Sequence, residues 1–202
     1  MIDDILPDYT RISSISGAFS GYNNVPRAIL NNAASRGTQI HSIIKDLILD
    51  IPVEEERYLY NNVRMSGEIE QIYLKGYIDS FWKYWKTIET CGPTFPERMY
   101  EDILRTTGEV DLIAEYKGDR LLIDWKCTAS KSESWAIQGN GYSILYEDNY
   151  CSVIDKILFV RLDKEGRDPE IVEIQHDVDL FHSAYEFYHR FFKNQRCNLE
   201  ME

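Results

Sequence analysis

The stretch Gly108–Ser130, GEVDLIAEYKGDRLLIDWKCTAS, decides how this chain reads. Two short β-type runs, EVDLIAE (Glu109–Glu115) and RLLIDWK (Arg120–Lys126), flank YKGD, which has the composition of a hairpin turn. The spacing predicts two adjacent antiparallel strands, with Asp111 on the first and Asp124 and Lys126 on the second. Residues two apart on a strand share a face, so Asp124 and Lys126 should project together. Trp125 should point the other way and leave its backbone carbonyl beside them. Leu121, Leu122 and Ile123 make the second strand apolar, and acids at its end are costly there unless paired or metal-bound. Two carboxylates and a carbonyl are hard oxygen donors suited to Mg²⁺ or Mn²⁺. A neighbouring amine can orient or deprotonate a water and offset charge developing on a phosphate. The pattern therefore implies a hydrolytic site for a phosphodiester.

Outward from this hairpin the chain reads as α/β with a central mixed sheet. Residues from Arg11 to about Asp50 read as helices, with Pro26 in an early turn and Thr38 as the N-cap of a second, amphipathic helix carrying Ile40, Ile43, Ile44, Leu47 and Ile48. That places His41 in its first turn. A longer helix is predicted over Ser66 to Glu89, ended by Gly92, Pro93 and Pro96. Downstream, Ser132 to about Glu147 reads as helix, Lys156–Leu162 as a buried strand, Pro169–Gln175 as an edge strand and Asp177–Phe192 as a closing helix that starts near Asp177 or Asp179. The pairs Trp82/Trp85 and the aromatics Tyr185, Phe187, Tyr188, Phe191 and Phe192 recur at helical spacing and read as packing. One domain over 1–202 is expected, helical over 1–95, with a sheet core over 96–176 and a last helix over 177–202.

Composition narrows the function classes. A 44% hydrophobic content over 202 residues supplies a core, and no Gly-, Ser- or Pro-rich run suggests a linker. The apolar runs are short and the N-terminus is acidic, so a membrane span or secretion signal is not expected and the protein should be cytoplasmic. Cys91, Cys127, Cys151 and Cys197 form no C-x-x-C pair, which removes local support for a zinc knuckle or iron–sulfur site and favours reduced thiols. A net charge of −12 argues against a protein that coats nucleic acid non-specifically. An enzyme needs only a local basic rim, so the acidity implies weak unaided affinity for long DNA, or a partner that delivers it.

The residues resemble a known family. Asp111 followed by Asp124-Trp125-Lys126 is similar to the signature of the PD-(D/E)XK nuclease superfamily, and Gly108 before Asp111 resembles the G-x-x-D form of its RecB-type and phage-exonuclease-like branch. Arg36-Gly37-Thr38-Gln39-Ile40-His41 resembles the branch's upstream RGTxxH element, and Gln138 with Tyr142 its Q-x-x-x-Y element. The four occur in the expected order over residues 36 to 142.

The resemblance implies a restriction-endonuclease-like sheet flanked by helices, with an N-terminal helical cap. It implies Asp111, Asp124, the Trp125 carbonyl and His41 as ligands of Mg²⁺ or Mn²⁺, with Lys126 catalytic. Gln138 and Tyr142, four apart on one helix face, would meet substrate or order the site, with Arg36 and Thr128 also on the substrate. Glu97 resembles the accessory acid of many relatives, and Glu101 competes for that role. Gly139 and Gly141 should weaken the helix that holds Gln138. Cys127 stands where relatives more often carry Thr, and Thr128 follows one position late. The activity implied is a metal-dependent DNA nuclease, an exonuclease of replication, recombination or repair suited to a phage or mobile element. The alternative is an inactive nuclease-fold module that binds protein or DNA. With no G-x-x-x-x-G-K-[ST] motif, processive action would need a ring-like homo-oligomer or a separate helicase or recombination protein.

Overall fold

The computed structural model describes residues 9–88 and 91–193. In chain order its elements are β1 (Thr10–Arg11), α1 (Ile12–Gly17), α2 (Arg27–Ile48), β2 (Leu59–Val63), β3 (Ile69–Tyr73), α3 (Lys75–Trp85), β4 (Cys91–Thr94), β5 (Met99–Glu101), β6 (Thr106–Gly108), β7 (Leu112–Tyr116), β8 (Asp119–Lys126), α4 (Ser134–Tyr150), β9 (Lys156–Arg161), β10 (Glu170–Ile174) and α5 (Val178–Phe191). The hairpin expected around YKGD is β7–β8. Tyr116 pairs with Asp119, which leaves Lys117 and Gly118 as a two-residue loop. Their φ values of 53° and 90° are those of a type I′ turn, whose twist matches that of the flanking strands.

The hairpin enters a five-stranded sheet of order β10-β9-β8-β7-β4. The β8–β9 pair is parallel and the other three are antiparallel, so the sheet is mixed as predicted. Parallel neighbours need a crossover, and α4 provides it. Alternation along the strands divides the core in two. Ile113, Leu122, Ile157 and Phe159 pack with α1, α4 and α5, whereas Leu112, Leu121, Ile123, Trp125 and Val160 pack with α2 and α3. Helices thus cover both faces of the sheet. Among the described residues no helix is long and apolar enough to cross a membrane.

Gly139 and Gly141 do not break α4. A Cβ on Gly139 would lie 2.7 Å from Ile157 Cγ2 and 2.9 Å from Phe159 Cε2, and one on Gly141 would lie 2.6 Å from Phe181 Cε2. The helix therefore lies closer to the sheet and to α5 than any side chain would permit, and that packing outweighs the local propensity loss.

Three other expectations give way. In place of the helix over Ser66 to Glu89 the chain forms β3, paired antiparallel with the preceding β2, and then the shorter α3. Ile69, Ile72 and Tyr73 share their spacing with Tyr77 downstream, and only the turn at Gly67, with φ 85°, distinguishes strand from helix. The two N-terminal helices around Thr38 are one helix, α2. Thr38 Oγ1 donates to the Ala34 carbonyl at 3.1 Å instead of capping, so His41 sits well inside the helix. On α5, Tyr188 is buried, but Phe187 and Phe191 are each 47% exposed and stack on one another rather than filling the core.

Candidate active site

The site forms where β8 runs past its neighbour. Pairing with β7 ends at Leu112–Ile123, so Asp124, Trp125 and Lys126 extend beyond that ladder while still paired with β9. Trp125 turns into the α2/α3 core, with its ring edge-on to Phe81 at 5.4 Å. Asp124 and Lys126 turn together toward α4, as the two-residue period requires. There the Lys126 ammonium lies 2.7 Å from Asp124 Oδ2, donates to Gln138 Oε1 at 2.9 Å, and sits 4.9 Å over the Phe159 ring. Gln138 Nε2 donates to Tyr142 Oη at 3.0 Å and lies 3.5 Å from Asp124 Oδ1. One helix face thus holds the strand's two charged groups in place.

Asp111 lies one residue before β7 rather than on it. Its Oδ2 accepts the Trp125 N–H at 2.8 Å, and its Oδ1 lies 2.9 Å from His41 Nδ1. Since N–H and C=O of an extended residue point to the same edge, the Trp125 carbonyl is turned toward Asp111 too. The chain thereby joins four residues that lie on α2, before β7, on β8 and on α4.

Burial and pairing set the charges. The Asp124 carboxyl, only 4% exposed, is pushed up to about 6 by burial and by the Asp111 charge, against the pull of Lys126. For Asp111, burial also opposes ionisation, but the His41 charge, Lys126 and the Trp125 N–H outweigh it and hold the carboxyl below its ordinary value. Burial lowers His41, yet Asp111 and the nearby Cys127 thiol prevail and raise it well above the usual imidazole range. Tyr142 is raised by burial and stays a neutral donor or acceptor. Two acids close together are thereby pushed apart in proton affinity.

Among the described residues no three His, Cys, Asp or Glu side chains already converge on one point as a cation cage. Asp111 is turned to His41, and Asp124 to Lys126. The donor chemistry nevertheless suits a hard divalent cation, because the buried Asp124 Oδ2 has a charge contact with Lys126 but no aligned hydrogen bond.

The remaining expected residues divide. Arg36 and Thr128 lie together on the walls of two adjoining cavities of about 570 and 630 Å³, the first of which also reaches His41, Trp125 and Lys126. The Thr128 hydroxyl donates to the Ser130 carbonyl at 2.9 Å. Glu97 is exposed on the loop between β4 and β5 and takes no part in these contacts. Glu101 is buried, with its carboxylate accepting the N–H groups of Ile103 and Leu104 at 2.7 and 2.8 Å, so it holds a turn. The sequence reading missed Phe159, the ring beneath Lys126. Its position opposite Asp124 depends on the β8–β9 register, which no local pattern carries.

No protein-family model matches the sequence, and curated proteins give no significant match. The structure does find likenesses. A candidate exonuclease from Eubacterium rectale superposes with a TM-score of 0.52 over 95% of this chain and 81% of that one, at 12% identity. An alkaline exonuclease from Laribacter hongkongensis gives a TM-score of 0.44 at 11% identity, covering 97% of each chain. At such identity the first likeness speaks for architecture, and it agrees with a helix-flanked mixed sheet bearing Asp111, Asp124 and Lys126 at one end. The chain thus shares the α/β fold of that exonuclease structure, a mixed sheet flanked by helices on both faces.

Proposed function

We propose that this protein is a divalent-cation-dependent deoxyribonuclease that hydrolyses phosphodiester bonds. The observation that carries the reading is the convergence at the end of β8 of two acids and an amine, Asp124 buried 2.7 Å from the Lys126 ammonium and Asp111 on the Trp125 N–H at 2.8 Å. Two acids brought close together with a single lysine beside them leave a surplus of oxygen donors that a divalent cation would neutralise. Asp111, Asp124, the Trp125 carbonyl and the His41 imidazole are the groups that would hold Mg²⁺ or Mn²⁺, which would supply positive charge to the phosphate and acidify a water.

The chain's own groups do the rest. Lys126 leaves Asp124 for the attacking water, orients it, and offsets charge gathering on the phosphate oxygens. Gln138 keeps the ammonium from swinging away, and Tyr142 fixes Gln138. Water gives up a proton to solvent as it attacks phosphorus, the bond to the leaving oxygen breaks, and that oxygen takes up a proton from solvent. Arg36 and Thr128, on the cavity walls, contact the substrate strand. The exonuclease description of the Eubacterium rectale neighbour is the reason to place action at strand ends. Recombination or repair, with a helicase or ring-like oligomer giving processivity, completes the proposal.

Incubating end-labelled single- and double-stranded DNA with Mg²⁺ or Mn²⁺ tests this. Metal-dependent cleavage is expected, with a loss of about a hundredfold or more for Lys126→Ala; no cleavage by the wild type, or undiminished cleavage by the variant, refutes it. A binding module without activity is the second reading, favoured by the fact that His41–Asp111 and Lys126–Asp124 already neutralise one another. Calorimetry separates the two, since only the enzyme reading requires Mn²⁺ affinity that depends on both acids.

A further inference from the structure

The β2–β3 pair turns an apolar face away from the molecule. Its register, Leu59↔Tyr73, Asn61↔Gln71 and Val63↔Ile69, sets these six residues on one side, and all six are exposed. The other side is the one held to α2, where Tyr60 is buried and its hydroxyl donates to the Asn32 carbonyl at 2.9 Å. A half-buried antiparallel pair ordinarily places its apolar residues inward and its polar residues outward. Here four of the six outward side chains are Leu, Val, Ile and Tyr, with Ile69 68% exposed. Strand propensity does not require this, since threonine serves a solvent-facing strand position as well. Nor does it account for Met65, which lies in the turn beyond both strands and is 73% exposed. An exposed apolar face continued by a methionine at its tip has the character of a protein-contact surface.

The surrounding charges narrow the partner. Glu55 accepts from the Tyr73 hydroxyl at 2.5 Å at one end of the face, and Glu68 accepts from the Ser66 hydroxyl at 3.1 Å in the turn at the other end. Glu54 and Glu56 flank Glu55 and are exposed. The two nearby arginines are engaged with other acids, Arg57 with Asp46 and Arg64 with Glu70. The surplus charge is therefore negative at both ends. A phosphate backbone is repelled by it, and two copies of the chain set face to face about a two-fold axis would bring like charges together.

We propose that this face docks a basic amphipathic helix of another protein. The apolar stripe of that helix covers Leu59, Val63, Met65, Ile69 and Tyr73, and its lysines or arginines meet Glu55 and Glu68. No residue of the candidate active site takes part, so the docking stands apart from the nuclease reading. Where both hold, a basic partner also brings the cations for DNA that a chain of net charge −12 lacks.

The test titrates the full chain, by fluorescence anisotropy at about 0.15 M salt, into three labelled peptides of about 20 residues. One is an amphipathic helix of Leu and Lys, the second has Glu for Lys, and the third has Ser for Leu. The Leu–Lys peptide should bind about tenfold or more tighter than either control. Val63→Thr combined with Ile69→Thr, which keeps strand propensity at two exposed positions, should weaken that binding about tenfold with the melting temperature retained. Glu55→Gln combined with Glu68→Gln should weaken it and flatten its salt dependence. Phe187→Ser, at a comparably exposed apolar position on α5, should leave it unchanged. Equal binding of all three peptides, no binding, or unchanged binding by the threonine pair overturns the assignment. A dimer in sedimentation that the threonine pair dissociates gives the face to a second copy, and loss of single-stranded DNA affinity in that variant gives it to substrate; either result also overturns the proposal. Peptide binding of the expected pattern by a chain that cleaves no DNA upholds the docking and sinks the nuclease reading alone.

Discussion

The Lys126 ammonium donates to Gln138 Oε1 at 2.9 Å, a bond that ties β8 to α4 and keeps the amine within 2.7 Å of Asp124. A hydrogen bond to a charged group contributes about 1.5–3 kcal/mol. Gln138→Ala should therefore lower kcat/KM by about ten- to a hundredfold and, since the same bond ties β8 to α4, lower the melting temperature by several degrees. Steady-state cleavage of a labelled oligonucleotide measures it, and a variant equal to the wild type would show that the amine needs no such anchor.

The Asp124 carboxyl, raised to about 6 from 3.8 by burial, predicts a particular dependence of stability on pH. A folded-state value above the unfolded one means the folded protein holds the proton more tightly. Stability contributed by this group is then lost as pH rises from about 4 to about 6. Asp124→Asn lacks that response. Denaturant titrations from pH 4 to 7 should show the wild type losing stability relative to the variant as pH rises; parallel curves would contradict the assignment.

Cation binding should relieve the same burial. Mn²⁺ at about a hundred times its Kd would stabilise the protein by about 2.7 kcal/mol if it binds only the folded form. Scanning calorimetry should show the melting transition moving up with Mn²⁺ and back with EDTA. Asp111→Asn and Asp124→Asn should each abolish the movement.

Two glutamates should separate by role. Because Glu101 is buried and holds the Ile103 and Leu104 N–H groups, Glu101→Gln should lower stability by about 1–3 kcal/mol. Cleavage per folded molecule should be retained. Glu97→Gln, at an exposed position, should change stability by less than about 0.5 kcal/mol. Chemical denaturation with active-site titration distinguishes them.

Close packing of α4 predicts intolerance at Gly139. With Ile157 Cγ2 at 2.7 Å and Phe159 Cε2 at 2.9 Å from a built Cβ, Gly139→Ala should cost about 1–3 kcal/mol even though alanine is the better helix former. It should also disturb Phe159, on which the Lys126 ammonium rests. A variant as stable as the wild type would argue against the close approach of α4.

Where a functional feature is local, the sequence alone determined it. The two-residue period put Asp124 and Lys126 on one face and Trp125 on the other. Lys117-Gly118 provided the turn that brings Asp111 back alongside, and the four-residue interval of Gln138 and Tyr142 gave one helix face. Neighbours in sequence obey these periods whatever surrounds them. Tertiary structure alone decided the rest. It made α2 continuous through Gly37 and Thr38, turned residues 59–73 into a strand pair, and assigned Glu101 to a turn. It also brought His41 to Asp111 across seventy positions and set Phe159 beneath Lys126. The His41 and Phe159 placements come from packing of distant segments, whereas the β2–β3 pair and the Glu101 turn are local arrangements that periodicity alone does not distinguish. Residues 69–73 fit strand or helix by pattern, and pairing with the preceding strand through the turn at Gly67 makes them strand.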